Sequence, residues 1–186
     1  MTAQIHDSFL FEDRKLSIAG VNGGELFHPA EHGMQPMPRI TSCWRGHVCT
    51  YNIQDNHLVL HTLQVNLDQQ GPAINNVRPV FSTGSTFNND YQALGLLMDF
   101  TGGLLVAEGF IQQLYVHMGF HPARKYETVL ELSFSKGEVL EIRDVSRQMA
   151  ELRHKRTQQS QQPGREASGQ EVNVWIASTY ERSYRF

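Results

Sequence analysis

Apolar side chains recur at every second position through much of this chain, the period of a half-buried β-strand. Residues 9–12 and 15–20 form a first pair of short alternating runs, and residues 126–144 hold two more. In the latter stretch Leu130, Leu132 and Phe134 alternate on one run, and Leu140 and Ile142 on the next. A two-residue turn at Lys136-Gly137 opposes Leu132 to Glu141 and mixes the faces. A loop of Ser135, Lys136 and Gly137 opposes Leu132 to Leu140 and Leu130 to Ile142, with glycine at the left-handed position. The same reasoning predicts a hairpin around Thr101-Gly102-Gly103, with Phe100 against Leu104 and Met98 against Val106. A third, around Gln54-Asp55-Asn56, sets Tyr51 against Val59 and Cys49 against His61, with Asn56 left-handed.

The intervening stretches carry weaker patterns. Residues 21–41 are broken by glycine and proline and read as loop. Residues 68–90, rich in Asn, Gln, Gly, Ser and Pro, read as an extended loop with a short strand near 77–81. Residues 110–118 fit a strand through Phe110, Leu114, Val116 and Met118, and equally a helical face through Phe110, Leu114 and Met118. Past Asp144 the period changes. Val145, Met149 and Leu152 share a helical face, Asp144 or Ser146 offers an N-cap, and Arg153, His154, Lys155 and Arg156 complement the helix C-terminus. The expected organisation is a single antiparallel β domain over 1–145, a barrel or a two-sheet sandwich. A short amphipathic helix follows over 146–157, then a polar linker over 158–170 and a final strand and tail over 171–186.

Composition refines this picture. The chain has 186 residues, 40% of them hydrophobic and 19% charged, which suits one packed domain. Residues 1–123 hold five Lys/Arg against ten Asp/Glu, whereas residues 124–186 hold eleven against nine. A low-charge β body suggests a face covered by a homo-oligomeric or other protein partner. The basic residues Arg143, Arg147, Arg153, Lys155 and Arg156 are offset by Asp144 and Glu151 and have no aromatic platforms among them, so no nucleic-acid function is expected. No apolar run is long enough for a membrane helix. The N-terminus lacks the charge order of a signal peptide, and two cysteines, Cys43 and Cys49, cannot build a disulfide framework, so a cytoplasmic location is expected.

Three constellations could carry chemistry. His28-Pro29-Ala30-Glu31-His32 spells the inverted zinc-protease motif, but Gly33 and Pro36 deny it the long helix that chemistry needs. The register Cys49 against His61 would gather His47, Cys49 and His61 into a nitrogen and sulfur cluster able to hold a divalent metal or to serve a thiol-dependent enzyme. No other cofactor is expected. The run Tyr115-Val116-His117-Met118-Gly119-Phe120-His121-Pro122 could line a small-ligand pocket. Tyr115, His117 and His121, with Arg45, are the ligand-binding candidates.

Leu26-Phe27, Cys43-Trp44-Arg45-Gly46, Phe100-Thr101-Gly102-Gly103, Gly109-Phe110-Ile111 and Tyr115-Val116-His117-Met118-Gly119-Phe120, followed by the Leu130-Glu131-Leu132 run, resemble a group of uncharacterised bacterial proteins without an assigned activity. The resemblance covers about residues 8–150. It implies a soluble bacterial protein and transfers no catalytic residues. The function these readings favour is a non-enzymatic β domain that binds a protein partner or a small ligand as a homodimer; the alternative is the metal- or thiol-dependent enzyme using His47, Cys49 and His61.

Overall fold

The computed structural model describes the backbone of residues 2–159 and the side chains up to residue 155. The strand and tail expected over 171–186 lie outside the described residues. The described chain is mainly β, with ten strands in one mixed, mostly antiparallel sheet and one α-helix. The strands are β1 (Ser8–Phe11), β2 (Arg14–Asn22), β3 (His47–Gln54), β4 (His57–Val65), β5 (Val80–Phe81), β6 (Asn89–Tyr91), β7 (Leu96–Leu97), β8 (Gly102–Phe110), β9 (Tyr126–Ser135) and β10 (Glu138–Asp144). The helix α1 spans Ser146–Gln159.

Neighbouring strands run β10-β9-β8-β2-β1-β3-β4, and a further pairing of Glu138 with His57 joins β10 back to β4. The sheet therefore closes into a barrel rather than dividing into a sandwich. β6, β7 and β5 extend it as a flap beyond β4. The mainly β, mostly antiparallel architecture is the expected one; at one joint, β1 with β3, the pairing is parallel.

The turns explain where the expected registers failed. Glu12-Asp13, Asp55-Asn56 and Lys136-Gly137 all have positive φ and form two-residue turns. Paired left-handed residues give such turns the twist of the flanking strands. The face mixing that a two-residue turn threatens is cured by a bulge, where one strand carries an extra residue. Leu140 is skipped between Val139 opposite Phe134 and Glu141 opposite Ser133, so Ile142 meets Leu132. His61 is skipped in the same way, so Tyr51 faces Leu60 and Cys49 faces Leu63.

The hairpin expected at Thr101-Gly102-Gly103 does not form. β7 pairs with β4, and β8 lies between β2 and β9. Gly102 and Gly103 instead permit a close approach. A Cβ on Gly102 would stand 1.9 Å from the Asn22 carbonyl oxygen. The barrel interior is packed by Phe9, Leu16, Ile18, Tyr51, Leu60, Leu104 and Leu132 among others.

A second apolar cluster covers the outer face of β8 and β9. Val145 and Met149 pack with Ala19, Leu105, Ala107, Ala123, Tyr126 and Val129. Leu152, expected on the same stripe, stays exposed. Asp144 supplies the helix-start hydrogen bond, its Oδ1 accepting the Ser146 N–H at 2.9 Å, while Ser146 Oγ accepts the Val129 N–H from β9. Among the described residues no helix is long and apolar enough to cross a membrane.

Candidate functional site

Residues 111–125 leave the barrel at the end of β8 and return at the start of β9. Phe110 pairs with Tyr126, and the Ile111 N–H donates to the Lys125 carbonyl at 2.9 Å, so the ends of the excursion meet. This is the build of a compact Ω-type loop, whose packing comes from its own side chains. The open question of strand or helix over 110–118 resolves as neither. β8 ends at Phe110, and from there to residue 118 one 3-10 turn, Gln112–Leu114, is regular; a second, Ala123–Lys125, leads into β9.

The loop is pinned by the N-terminal segment. Gln4 N–H donates to the Gly119 carbonyl at 2.8 Å, and His121 N–H donates to His6 Nε2 at 3.1 Å. Because that nitrogen accepts, the His6 ring proton sits on Nδ1, which donates to the Ile18 carbonyl at 3.0 Å.

Within the loop the candidates Tyr115, His117 and His121 come together. The Tyr115 ring lies 4.8 Å from that of His117 and 5.1 Å from that of His121. Phe110 lies tilted against His121 at 4.7 Å and meets Tyr126 edge-on at 5.3 Å. His121 is only 6% exposed, whereas Tyr115 is 41% exposed. Tyr115 is the more exposed of the two.

Lys125, also only 6% exposed, lies against His121. Its Nζ stands 3.5 Å from His121 Nδ1. An ammonium can only donate, so Nδ1 accepts and the ring proton is on Nε2. Nε2 is buried and has no hydrogen-bond partner among the described residues. Burial, aided by the neighbouring Arg124 charge, lowers the Lys125 pKa to about 8. Burial and then the Lys125 charge lower that of His121 to about 4. The pair thus presents an amine and an imidazole N–H beside aromatic rings. No carboxylate is paired with the amine among the described residues.

Arg45, the fourth ligand-binding candidate, adjoins the loop but is committed elsewhere. Its Nη1 and Nη2 donate to the two Asp7 oxygens at 2.8 and 3.0 Å, and its guanidinium lies 5.3 Å from the Phe120 ring centroid. Burial opposes the Arg45 charge, but Asp7 outweighs it and holds the guanidinium protonated. Asp7 Oδ1 also accepts the Cys49 N–H at 2.9 Å.

The strand cluster is not assembled as expected. Cys49 is opposite Leu63 instead of His61, because the bulge shifts His61 out of register. Burial, and then Asp7, push the Cys49 thiol well above its ordinary pKa, away from the reactive thiolate. His47 Nδ1 lies 3.1 Å from the Arg45 carbonyl oxygen. Among the described residues no three His, Cys, Asp or Glu side chains gather as a metal site. Cys43 and Cys49 are both free and buried. His28–His32 forms one 3-10 turn at Pro29–His32, ended by left-handed Gly33, with His28 paired to Glu25.

His6, Phe110, Lys125 and Tyr126 escaped the sequence reading. Lys125 sits between Arg124 and the Tyr126-Glu127 start of a strand, a setting that reads as solvent. The usable signal was that Tyr126 opens an alternating run, which makes the residue before it a loop closure. Comparison of the chain with protein-family models, curated proteins and solved structures yields no match.

Proposed function

We propose that this chain is a binding domain, and that its loop site takes a small organic ligand bearing an anionic oxygen beside a planar ring. The observation that carries the reading is the unpartnered, buried His121 Nε2 next to a buried lysine without a carboxylate. Buried donors cost free energy when they have no acceptor, on the order of 1–3 kcal/mol each and more for a charged group. A ligand oxygen that accepts from both would recover that cost. Phe110, Tyr115 and Tyr126 supply faces and edges for a ring. The raised pKa of Cys49 and the separation of His61 from it argue against the thiol-dependent alternative.

Benzoate is the simplest probe of this chemistry. Titration into the full chain, followed by the histidine ring resonances in nitrogen-15 NMR, should move His121 selectively and leave His57, on the far hairpin, in place. Unchanged His121 resonances at millimolar benzoate would overturn the proposal. Tyr115→Ala should weaken binding without unfolding the protein.

A further inference from the structure

We infer that Lys125 is a carbonyl-capturing amine, so that the site takes aldehydes or ketones carrying a carboxylate and holds them as a reversible imine. The inference rests on the proposed anion-binding site and adds a covalent step to it. Three observations converge. The amine is buried beside His121, whose ring is flanked by Phe110 and Tyr115, a setting that limits the water that would hydrolyse an imine. His121 Nδ1 lies 3.5 Å from Nζ, so it can accept a hydrogen bond and hold the amine in one orientation. The adjacent Arg124 charge disfavours the ammonium, as a neighbouring cation does at activated lysines.

The chemistry balances without an external oxidant or reductant. The unprotonated Nζ adds its electron pair to the carbonyl carbon, and the C=O π pair moves to oxygen. A proton passes from nitrogen to that oxygen to give a carbinolamine. Its hydroxyl takes up a proton and leaves as water while the nitrogen pair forms C=N, and the iminium nitrogen then gives a proton back, so none is consumed. One amine and one carbonyl become one imine and one water. The unpartnered His121 Nε2–H is a donor for an oxygen of the same ligand.

The four lysines of the chain make the test internally controlled, because Lys15, Lys136 and Lys155 are exposed. The full chain is incubated with 4-carboxybenzaldehyde and cyanoborohydride, which reduces the imine to a stable secondary amine, and the labelled peptides are quantified by mass spectrometry. At neutral pH, Lys125 should be labelled on the order of tenfold faster than the exposed lysines. Its labelling should rise to a plateau with a midpoint near pH 8. Benzoate should slow labelling at Lys125 only. Labelling of Lys125 no faster than of Lys15, Lys136 and Lys155 overturns the inference.

The two readings separate cleanly. If benzoate shifts His121 while Lys125 stays unlabelled, covalent capture is wrong and the anion site stands. If neither occurs, both fall. Lys125→Arg should retain benzoate binding and lose the selective label. Should that variant not fold, the protection of wild-type Lys125 by benzoate decides the same question.

Discussion

Asp7, with its half-buried partner Arg45, and the buried His121–Lys125 pair are neighbours, tied together by His6 and Phe120, and they are satisfied to opposite degrees. Asp7 accepts two bonds from Arg45 and one from the Cys49 N–H. Lys125 has His121, and His121 Nε2 has no partner among the described residues. The first arrangement is what a fold does with a buried charge it needs for shape. The second leaves hydrogen-bonding capacity unspent, and such capacity is informative when it lies beside aromatic rings. The difference teaches that burial of an ionisable group says little by itself; the count of its partners separates scaffold from site.

The contrast breaks most visibly at Asp7. Asp7→Ala strips Arg45 of its carboxylate and the Cys49 N–H of its acceptor, and should cost about 3–4 kcal/mol in urea unfolding. Lys125→Met should do the opposite and stabilise the protein by about 2 kcal/mol at neutral pH, because an apolar side chain of similar length replaces a poorly partnered cation. The pH dependence carries the sign. The folded state binds the Lys125 proton less tightly than the unfolded state, so its penalty is fully present below about pH 8 and vanishes as pH rises towards 10.5. The gain from Lys125→Met should fade over that window. Equal gains at pH 7 and pH 10.5 would contradict the assignment.

His121 gives a smaller effect at acid pH. Its lowered pKa means that the stability it contributes is complete above 6.5 and lost as pH falls through about 4. About 1–2 kcal/mol of acid sensitivity in that range should disappear in His121→Gln, read from urea midpoints at successive pH values. The least effect belongs to Tyr115→Ala. With its side chain 41% exposed, this change should move stability by less than about 1 kcal/mol while altering ligand binding, which separates site from scaffold.

Much of the barrel was legible because period 2 and turn residues are local signals. The β1–β2 hairpin and the change of period at Asp144 are both of this kind. The registers of the β3–β4 and β9–β10 hairpins were misread because a bulge is a compromise between turn twist and core packing, and neither alone writes it into the pattern. His61 and Leu140 look like ordinary members of their strands until the pairing is drawn. Gly102-Gly103 misled in another way: it marks a backbone crossing beside Asn22, and a crossing shares its residue preferences with a turn.

The candidate site was half legible. Tyr115, His117 and His121 are close in sequence, so their clustering in one loop followed from proximity. His6 enters from the opposite end of the chain, and Lys125 is drawn inward by the closure of the loop at Ile111. Such juxtapositions exist only after the sheet has formed, which is why the sequence named Tyr115, His117 and His121 without their partners His6 and Lys125.

The return pairing of β10 to β4 has a consequence for how this barrel breathes. Glu138 and His57 are the only register pair of that seam among the described residues, supported by backbone bonds from Leu58 N–H to the Gly137 carbonyl and from Val139 N–H to the Asn56 carbonyl. Every other joint in the ring is a longer ladder. A cylinder stitched at one point has a preferred line of parting. Amide exchange should start at the turn tips around Asn56 and Gly137 and reach the β8–β9 ladder last, so the wall that carries the loop stays closed while the opposite seam opens.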